Sequence, residues 1–254
     1  MYYDTHNFLI KNTQLEKKSI EYYLSNLLLK FNFNHAFFSK DSSNFSIEKL
    51  ARKFNDNRIN YFNNQIHSNL IVHGSQLSPG MKFDADGIIS DSLNYNLWLY
   101  SADCMPIFLA DKSNRLVAAI HCGRKGLEKN IIKNILKEME YLGSLKKNII
   151  VAIGPSISKA NYVIDENCLK IFYKNIYAEM NSELEIEQKH VYQLSNNKYS
   201  VDIKGFAFQQ LIDNNIFPEN IEISNNCTYE LHDQFFSWRR DKSKHRNWNF
   251  ISSK

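Results

Sequence analysis

The chain has 254 residues, 43% of them hydrophobic and 23% charged, with a formal net charge of +4 from 31 Lys and Arg against 27 Asp and Glu. That length can bury a substantial core, and the lack of any apolar run near ~18 residues excludes a membrane-spanning helix. The Lys residues are spread over the whole chain rather than gathered into a stripe interleaved with aromatics, which argues against nucleic acid as a partner.

In chain order, residues 15–30 read as an amphipathic helix, with Leu15, Ile20, Leu24, Leu27 and Leu28 approximating one face. His35-Ala36-Phe37-Phe38 reads as a strand, and the polar stretch from Asp41 to Gln65 as irregular or weakly helical. Apolar runs of strand length follow at Leu70–Val72, Gly87–Ile89, Leu97–Tyr100, Ile107–Ala110, Leu116–Ile120 and Ile149–Ile153, bounded by Gly, Asp, Ser and Asn. Between the last two lies a helix with Leu127, Ile131, Ile135, Met139 and Leu142 on one face. Helices near 165–180 and 202–214 come next, the second with Phe206, Leu211 and Ile212 inward, then strands near 221–224 and 248–251. Without repeats or Pro/Gly/Ser-rich linkers, one domain over 1–254 is expected. Strands that outnumber helices and often follow one another predict a mixed sheet and an α+β fold.

Met1-Tyr2-Tyr3-Asp4-Thr5-His6-Asn7 has no basic stretch leading into an apolar one, so no secretory signal and a cytoplasmic location are expected. Cys104, Cys122, Cys168 and Cys227 are scattered, with no CxxC pair, and read as small buried residues or functional thiols rather than a disulfide framework. Three ligand-type side chains fall at the ends of expected strands: His73 in Val72-His73-Gly74, Cys104 in Ala102-Asp103-Cys104-Met105, and His121 in Ile120-His121-Cys122. Strand ends converge at a sheet edge, and two imidazoles with one thiolate suit Zn²⁺ while leaving a position open. Asp103 is a candidate acceptor for a histidine N–H at that site. Cys122, on the opposite strand face from His121, reads as core. His6, His35, His67, His190, His232 and His245 match no ligand spacing with one another and read as ordinary. Asp86 is left without a role, and Gly154-Pro155-Ser156 reads as a turn.

Five ordered motifs resemble signatures of the YfiH-type family. They are Val72-His73-Gly74, Asp84-Ala85-Asp86-Gly87-Ile88-Ile89, Ser101-Ala102-Asp103-Cys104-Met105-Pro106-Ile107, Ile153-Gly154-Pro155-Ser156-Ile157 and Phe235-Phe236-Ser237-Trp238-Arg239-Arg240-Asp241. The resemblance runs from about residue 33 to 251. It implies a single-domain layered sandwich of mixed β-sheets flanked by helices, with His73, Cys104 and His121 as metal ligands. The family carries an older label of multicopper polyphenol oxidoreductase (laccase). Later descriptions make its members purine nucleoside phosphorylases with adenosine deaminase activity, and some peptidoglycan editing factors.

The sequence departs from that pattern among its basic groups. His121-Cys122-Gly123-Arg124-Lys125-Gly126 stands where the family has His-Ala-Gly-Trp-Arg-Gly. Lys40 stands for an Arg, and Lys244-His245-Arg246 replaces Thr-Gly-Arg. Lys40, Arg239, Arg240 and Arg246 are the candidate phosphate ligands, since guanidinium forks and an ammonium suit phosphate. The resemblance thus implies a zinc enzyme, with copper as the other metal option. Adenosine, inosine or methylthioadenosine would be cleaved by phosphate to base and ribose 1-phosphate, with adenosine deamination as a second activity. The alternative is a cysteine amidohydrolase with Cys104 as nucleophile and His121 or His73 as base. Expected partners are small-molecule nucleosides and phosphate, with the chain a monomer or weak homo-oligomer.

Overall fold

A computed structural model describes residues 3–54, 58–77, 81–91, 95–177 and 190–252. Its strands are β1 (Leu9–Leu15), β2 (Lys18–Leu24), β3 (Asn34–Phe38), β4 (Ile59–Tyr61), β5 (Ile71–His73), β6 (Gly87–Ser90), β7 (Tyr95–Ser101), β8 (Met105–Asp111), β9 (Val117–Cys122), β10 (Ile149–Ile153), β11 (Val163–Ile164), β12 (Val191–Ser195), β13 (Lys198–Val201), β14 (Ile221–Ile223) and β15 (Asn247–Ser252). The helices are α1 (Asn26–Lys30), α2 (Ile47–Lys53), α3 (Arg124–Glu128), α4 (Ile131–Tyr141), α5 (Glu166–Tyr177), α6 (Ile203–Asp213) and α7 (Trp238–Asp241).

Two six-stranded sheets are stacked. One runs β1-β2-β3-β15-β7-β4 and the other β14-β10-β8-β9-β6-β5, and each mixes antiparallel pairs with parallel ones. A small sheet, β11-β13-β12, lies apart from them. Side chains alternate across each strand, so β8 sends Phe108 and Ala110 into the core between the sheets, where Phe37 stacks on Phe108 at 4.6 Å. Ile107 and Leu109 point the other way, into a core closed by α4, α5 and α6. A strand covered on both faces has no solvent side, which is why β8, β9 and β10 read as unbroken apolar runs. The outer face of the first sheet carries Trp98, Phe38 and Phe250 beneath α2. The result is a layered α+β sandwich, helix–sheet–sheet–helix. Among the described residues no helix is long and apolar enough to cross a membrane.

Residues 15–30 are not the expected helix. They end β1, form β2 and supply the short α1. Glu16 and Lys17 take positive φ values of 50° and 66°, a tight hairpin turn that puts β1 against β2 in register from Leu9↔Leu24 to Leu15↔Lys18. Ile20 is buried on β2 in the same cluster as Phe38 and Trp98 of that sheet, a packing that outweighs a loose helical spacing. Within 41–65, α2 and β4 are regular elements where irregular or weakly helical chain is expected. The helix expected after Leu116–Ile120 is broken at Asn130 (φ 58°) into α3 and α4. Residues 178–180, the end of the helix expected near 165–180, lie outside the described residues.

His35 pins α1 to the sheet as a neutral ring. Its Nε2 accepts from the Ser25 N–H at 2.8 Å and its Nδ1 donates to the Phe33 carbonyl at 2.9 Å. Burial drives its pKa down from 6.5 to about 4. The unfolded chain therefore binds the extra proton first as the pH falls. The neutral ring's stabilisation is present above pH 6.5 and is lost between 6.5 and 4. Urea titrations at pH 7.5 and 4.5 should show wild type losing up to ~3 kcal/mol more than His35→Gln. Equal losses in the two proteins would rule the histidine out as the cause.

Candidate metal centre and its cavity

The antiparallel ladder between β8 and β9 assembles the centre. Met105 pairs with Cys122 and Pro106 with His121, so Cys104, just outside β8, falls beside His121 near the end of β9. The third group is His67, from the loop between β4 and β5. One ligand atom from each of His67, Cys104 and His121 lies within 4.8 Å of the other two, and among the described residues no other group of three or more His, Cys, Asp or Glu is so arranged. The two imidazole rings meet edge to face with centroids 5.0 Å apart.

His73 is not brought to this group. β5 runs parallel to β6, which places His73 opposite Ile89, and Ile89 pairs with Ala118. Ala118 is three residues before His121, ~10 Å along the strand at 3.3–3.4 Å per residue. The Nε2 of His73 instead pairs with Glu138 of α4 at 2.9 Å. His67 carries no strand-end signal because its backbone is left-handed (φ 57°). The one cue in the sequence is its place six residues before His73 and ahead of the Asp86 motif.

Asp86 holds the loop. Its carboxylate, 1% exposed, accepts from the backbone N–H groups of Ile66, His67 and Ser68 at 3.1, 3.1 and 2.6 Å and from Ser68 Oγ at 2.8 Å. It also accepts from His121 Nδ1 at 2.8 Å, which orients the ring so that its other nitrogen, Nε2, is the one available as a ligand atom. The role expected of Asp103 therefore belongs to Asp86. Asp103 serves other partners, Thr228 Oγ1 at 2.7 Å and the Arg239 N–H at 2.6 Å.

Burial pushes the Cys104 thiol up, but the charge of His121 and hydrogen bonds from His121 and His67 outweigh it and hold the thiol down at about 6. Burial likewise disfavours charge on His121, yet attraction to Cys104 and the Asp86 hydrogen bond raise its pKa to about 9. A half-buried sulfur that ionises readily, set beside two imidazoles, is a fitting donor set for a soft or borderline metal ion. Cys122, in contrast, is fully buried and its thiol is pushed up by burial, as a core residue. Gly123 is required by the same packing, since a Cβ there would collide with Cys104 Sγ.

The centre opens into a cavity of about 550 Å³, lined among others by Tyr100, Asp103, Arg124, Lys125, Tyr162, Trp238, Arg239 and Arg246. Of the four candidate phosphate ligands, Arg239 and Arg246 line it. Arg239 lies over the Tyr162 ring at 4.9 Å and donates to the Val163 carbonyl at 2.6 Å, while Arg246 donates to the carbonyls of Ser243 and His245, both at 2.8 Å. Among the described residues neither guanidinium has a carboxylate partner. Arg240 does not line the cavity; its fork is spent on the carbonyls of Thr228, Tyr229 and Phe235 and on Asp241. Lys40 is also outside, with Nζ on the His232 carbonyl at 2.9 Å. Arg124 and Lys125, read in the sequence only as departures, are on the wall, Arg124 with Glu128 as its ion-pair partner.

Metal analysis of purified protein tests the ligand set. Cys104→Ser and His67→Ala should lose bound metal at neutral pH, whereas His73→Ala should keep it. Asp86→Asn should weaken binding by ~10- to 100-fold, because the His121 ring loses its charged acceptor and the loop carrying His67 loses part of its anchor. Loss of metal in His73→Ala with retention in His67→Ala would restore the strand-end assignment.

A family model described as multi-copper polyphenol oxidoreductase laccase matches residues 31–254. A purine nucleoside phosphorylase of Campylobacter jejuni is 33% identical over 188 residues, covering 73% of each chain. The purine nucleoside phosphorylase YlmD of Bacillus subtilis is 30% identical over 218 residues, covering 82% of this chain and 76% of its own. The fold matches the crystal structure of YlmD from Geobacillus stearothermophilus with a TM-score of 0.82 at 21% identity, over 95% of this chain and 98% of that one. The Bacillus licheniformis protein YfiH matches with a TM-score of 0.80 at 23% identity, again over 95% and 98%. The chain belongs to the YfiH-type family, the one described as multi-copper polyphenol oxidoreductase laccase.

Proposed function

We propose that the chain is a zinc-dependent purine nucleoside phosphorylase that also deaminates adenosine. The observation that carries this reading is that one cavity is lined both by the His67–Cys104–His121 group and by the guanidinia of Arg239 and Arg246, which have no carboxylate partner among the described residues. Relatives at about this identity are named purine nucleoside phosphorylases, which supports the same substrate class. When bound, a zinc ion would supply Lewis acidity beside the substrate. His67, Cys104 and His121 would hold it, and Asp86 would fix the His121 ring and the backbone of the loop that carries His67.

The remaining chemistry is binding and positioning. Arg239, Arg246 and the exposed Lys125 face the cavity with positive charge and would orient inorganic phosphate. In phosphorolysis the bond from C1′ to the purine nitrogen breaks, and a phosphate oxygen bonds to C1′ as the base departs. A cationic wall fixed by Tyr162 and backbone carbonyls stabilises charge there without reorganising during the reaction. The aromatic side chains of Tyr100, Tyr162 and Trp238 offer apolar surface to a purine.

The lowered Cys104 thiol also favours a second reading, a cysteine amidohydrolase with Cys104 as nucleophile and His121 or His67 as base. A sulfur bound to metal cannot serve as that nucleophile, so the metal content of the active protein separates the two.

Base release from inosine or adenosine should require phosphate and yield ribose 1-phosphate, while ammonia release from adenosine should not require phosphate. Phosphate alone should raise the melting temperature by ligand linkage. Arg239→Ala should weaken phosphate binding by ~10- to 100-fold, the effect of one charge-assisted hydrogen bond, with metal retained. Phosphate-independent cleavage, or no turnover of any purine nucleoside by metal-loaded protein, would overturn the phosphorylase reading.

A further inference from the structure

Asp103 sits between the metal group and the cationic wall. It immediately precedes Cys104, is 8% exposed, and holds a φ of 91°, a backbone conformation that side-chain-bearing residues rarely adopt. Such a conformation persists only where the surroundings over-determine it. Here they do. Carboxylate Oδ1 accepts from Thr228 Oγ1 at 2.7 Å, Oδ2 accepts from the Arg239 N–H at 2.6 Å, and the Asp103 carbonyl accepts from the Ile157 N–H at 3.0 Å. Both carboxylate oxygens are thus engaged, and neither touches a ligand atom of the metal group.

These partners belong to three segments remote in sequence. Ile157 follows β10, Thr228 lies in the turn after β14, and Arg239 is the second residue of α7, a helix of only four residues. So short a helix has little stability of its own. Its hold on the site comes from Ser237 Oγ accepting from Arg240 N–H, from the Arg240 fork on Thr228, Tyr229 and Phe235 carbonyls, and from Asp103. Of these anchors, only Asp103 reaches back to the loop that carries Cys104.

We propose that Asp103 is a positioning residue that sets the Arg239 guanidinium against the Cys104 loop, so that metal group and anion wall keep one fixed spacing. This rests on the reading of Arg239 as a phosphate ligand. The requirement is a hydrogen-bonding partner at two points, not a negative charge. An asparagine amide oxygen can accept from the Arg239 N–H, and its NH₂ can donate to a Thr228 hydroxyl that turns to accept. Alanine can do neither.

The test is steady-state phosphorolysis with phosphate varied, in metal-loaded protein of measured metal content. Asp103→Ala should raise the phosphate KM by ~10- to 100-fold, the scale of a misplacement near 1 Å, with metal stoichiometry unchanged. Asp103→Asn should stay near wild type, and Thr228→Val should fall between the two. In a double-mutant cycle, Asp103→Ala should add nothing to the phosphate KM of Arg239→Ala, because its effect passes through that side chain. If Asp103→Ala does not fold, Thr228→Val takes its place in the cycle. Full additivity, Asp103→Asn as damaging as Asp103→Ala, or metal loss in the alanine variant would each overturn the inference while leaving the phosphorylase intact. An Arg239→Ala protein with unchanged phosphate KM would remove the underlying reading of Arg239 and the inference with it.

Discussion

A carboxylate buried to 1% exposure is costly unless every lone pair finds a donor, and Asp86 meets that condition with five hydrogen bonds. Burial raises its pKa, but the His121 hydrogen bond and the Ser68 N–H outweigh this and hold it at about 2. The consequence is geometric. Four of those donors are in the 66–68 loop and the fifth is a ring nitrogen on β9. One acid therefore fixes the one member of the group that no strand positions and orients the ring of another. Cys104 needs no such help, because the β8–β9 register already puts it beside His121.

The electrostatics follow from that arrangement. An imidazole that donates to Asp86 on one side and faces a sulfur on the other is surrounded by acceptors, so its protonated form is favoured despite burial. The same proximity draws the pKa of the Cys104 sulfur down. Cys122, next in the chain to His121 but on the other face of β9, meets only the core and stays a thiol. Two cysteines of identical chemistry are separated by which face of the sheet they occupy.

The cationic wall is built differently from the metal group. The ligand atoms sit at the ends of central strands or are tied directly to them, while Arg239 and Arg246 come from a four-residue helix and the coil before β15. Arg239 and Arg240 are adjacent, yet one lines the cavity and the other is consumed by three carbonyls and Asp241. Arg240 is thus the anchor of the turn and Arg239 the group it presents.

Much of the central sheets was legible from the chain alone. The runs at Ile107–Ala110, Leu116–Ile120 and Ile149–Ile153 are apolar because both faces of that sheet are covered, and a short apolar run between turn residues is a strand signal that needs no partner to be known. Cys104 and His121 were legible for the same reason, being placed by those strands. The β1–β2 hairpin was not, since Ile20 and Leu24 suit a helix as well as a strand until Phe38 and Trp98 are seen beside them. His67 was not legible either. Its place is set by an acid 19 residues away, and nothing local distinguishes it from His73, whose strand end is real but points along a parallel pairing to the far end of β9. Local periodicity and ordered motifs were enough for the layered α+β architecture, the family and two of the three side chains of the His67–Cys104–His121 group. The place of His67 in that group, the contacts of Asp86 and the choice of arginines that face the cavity emerge only in the folded sheets, because each depends on a hydrogen bond or pairing between segments remote in sequence.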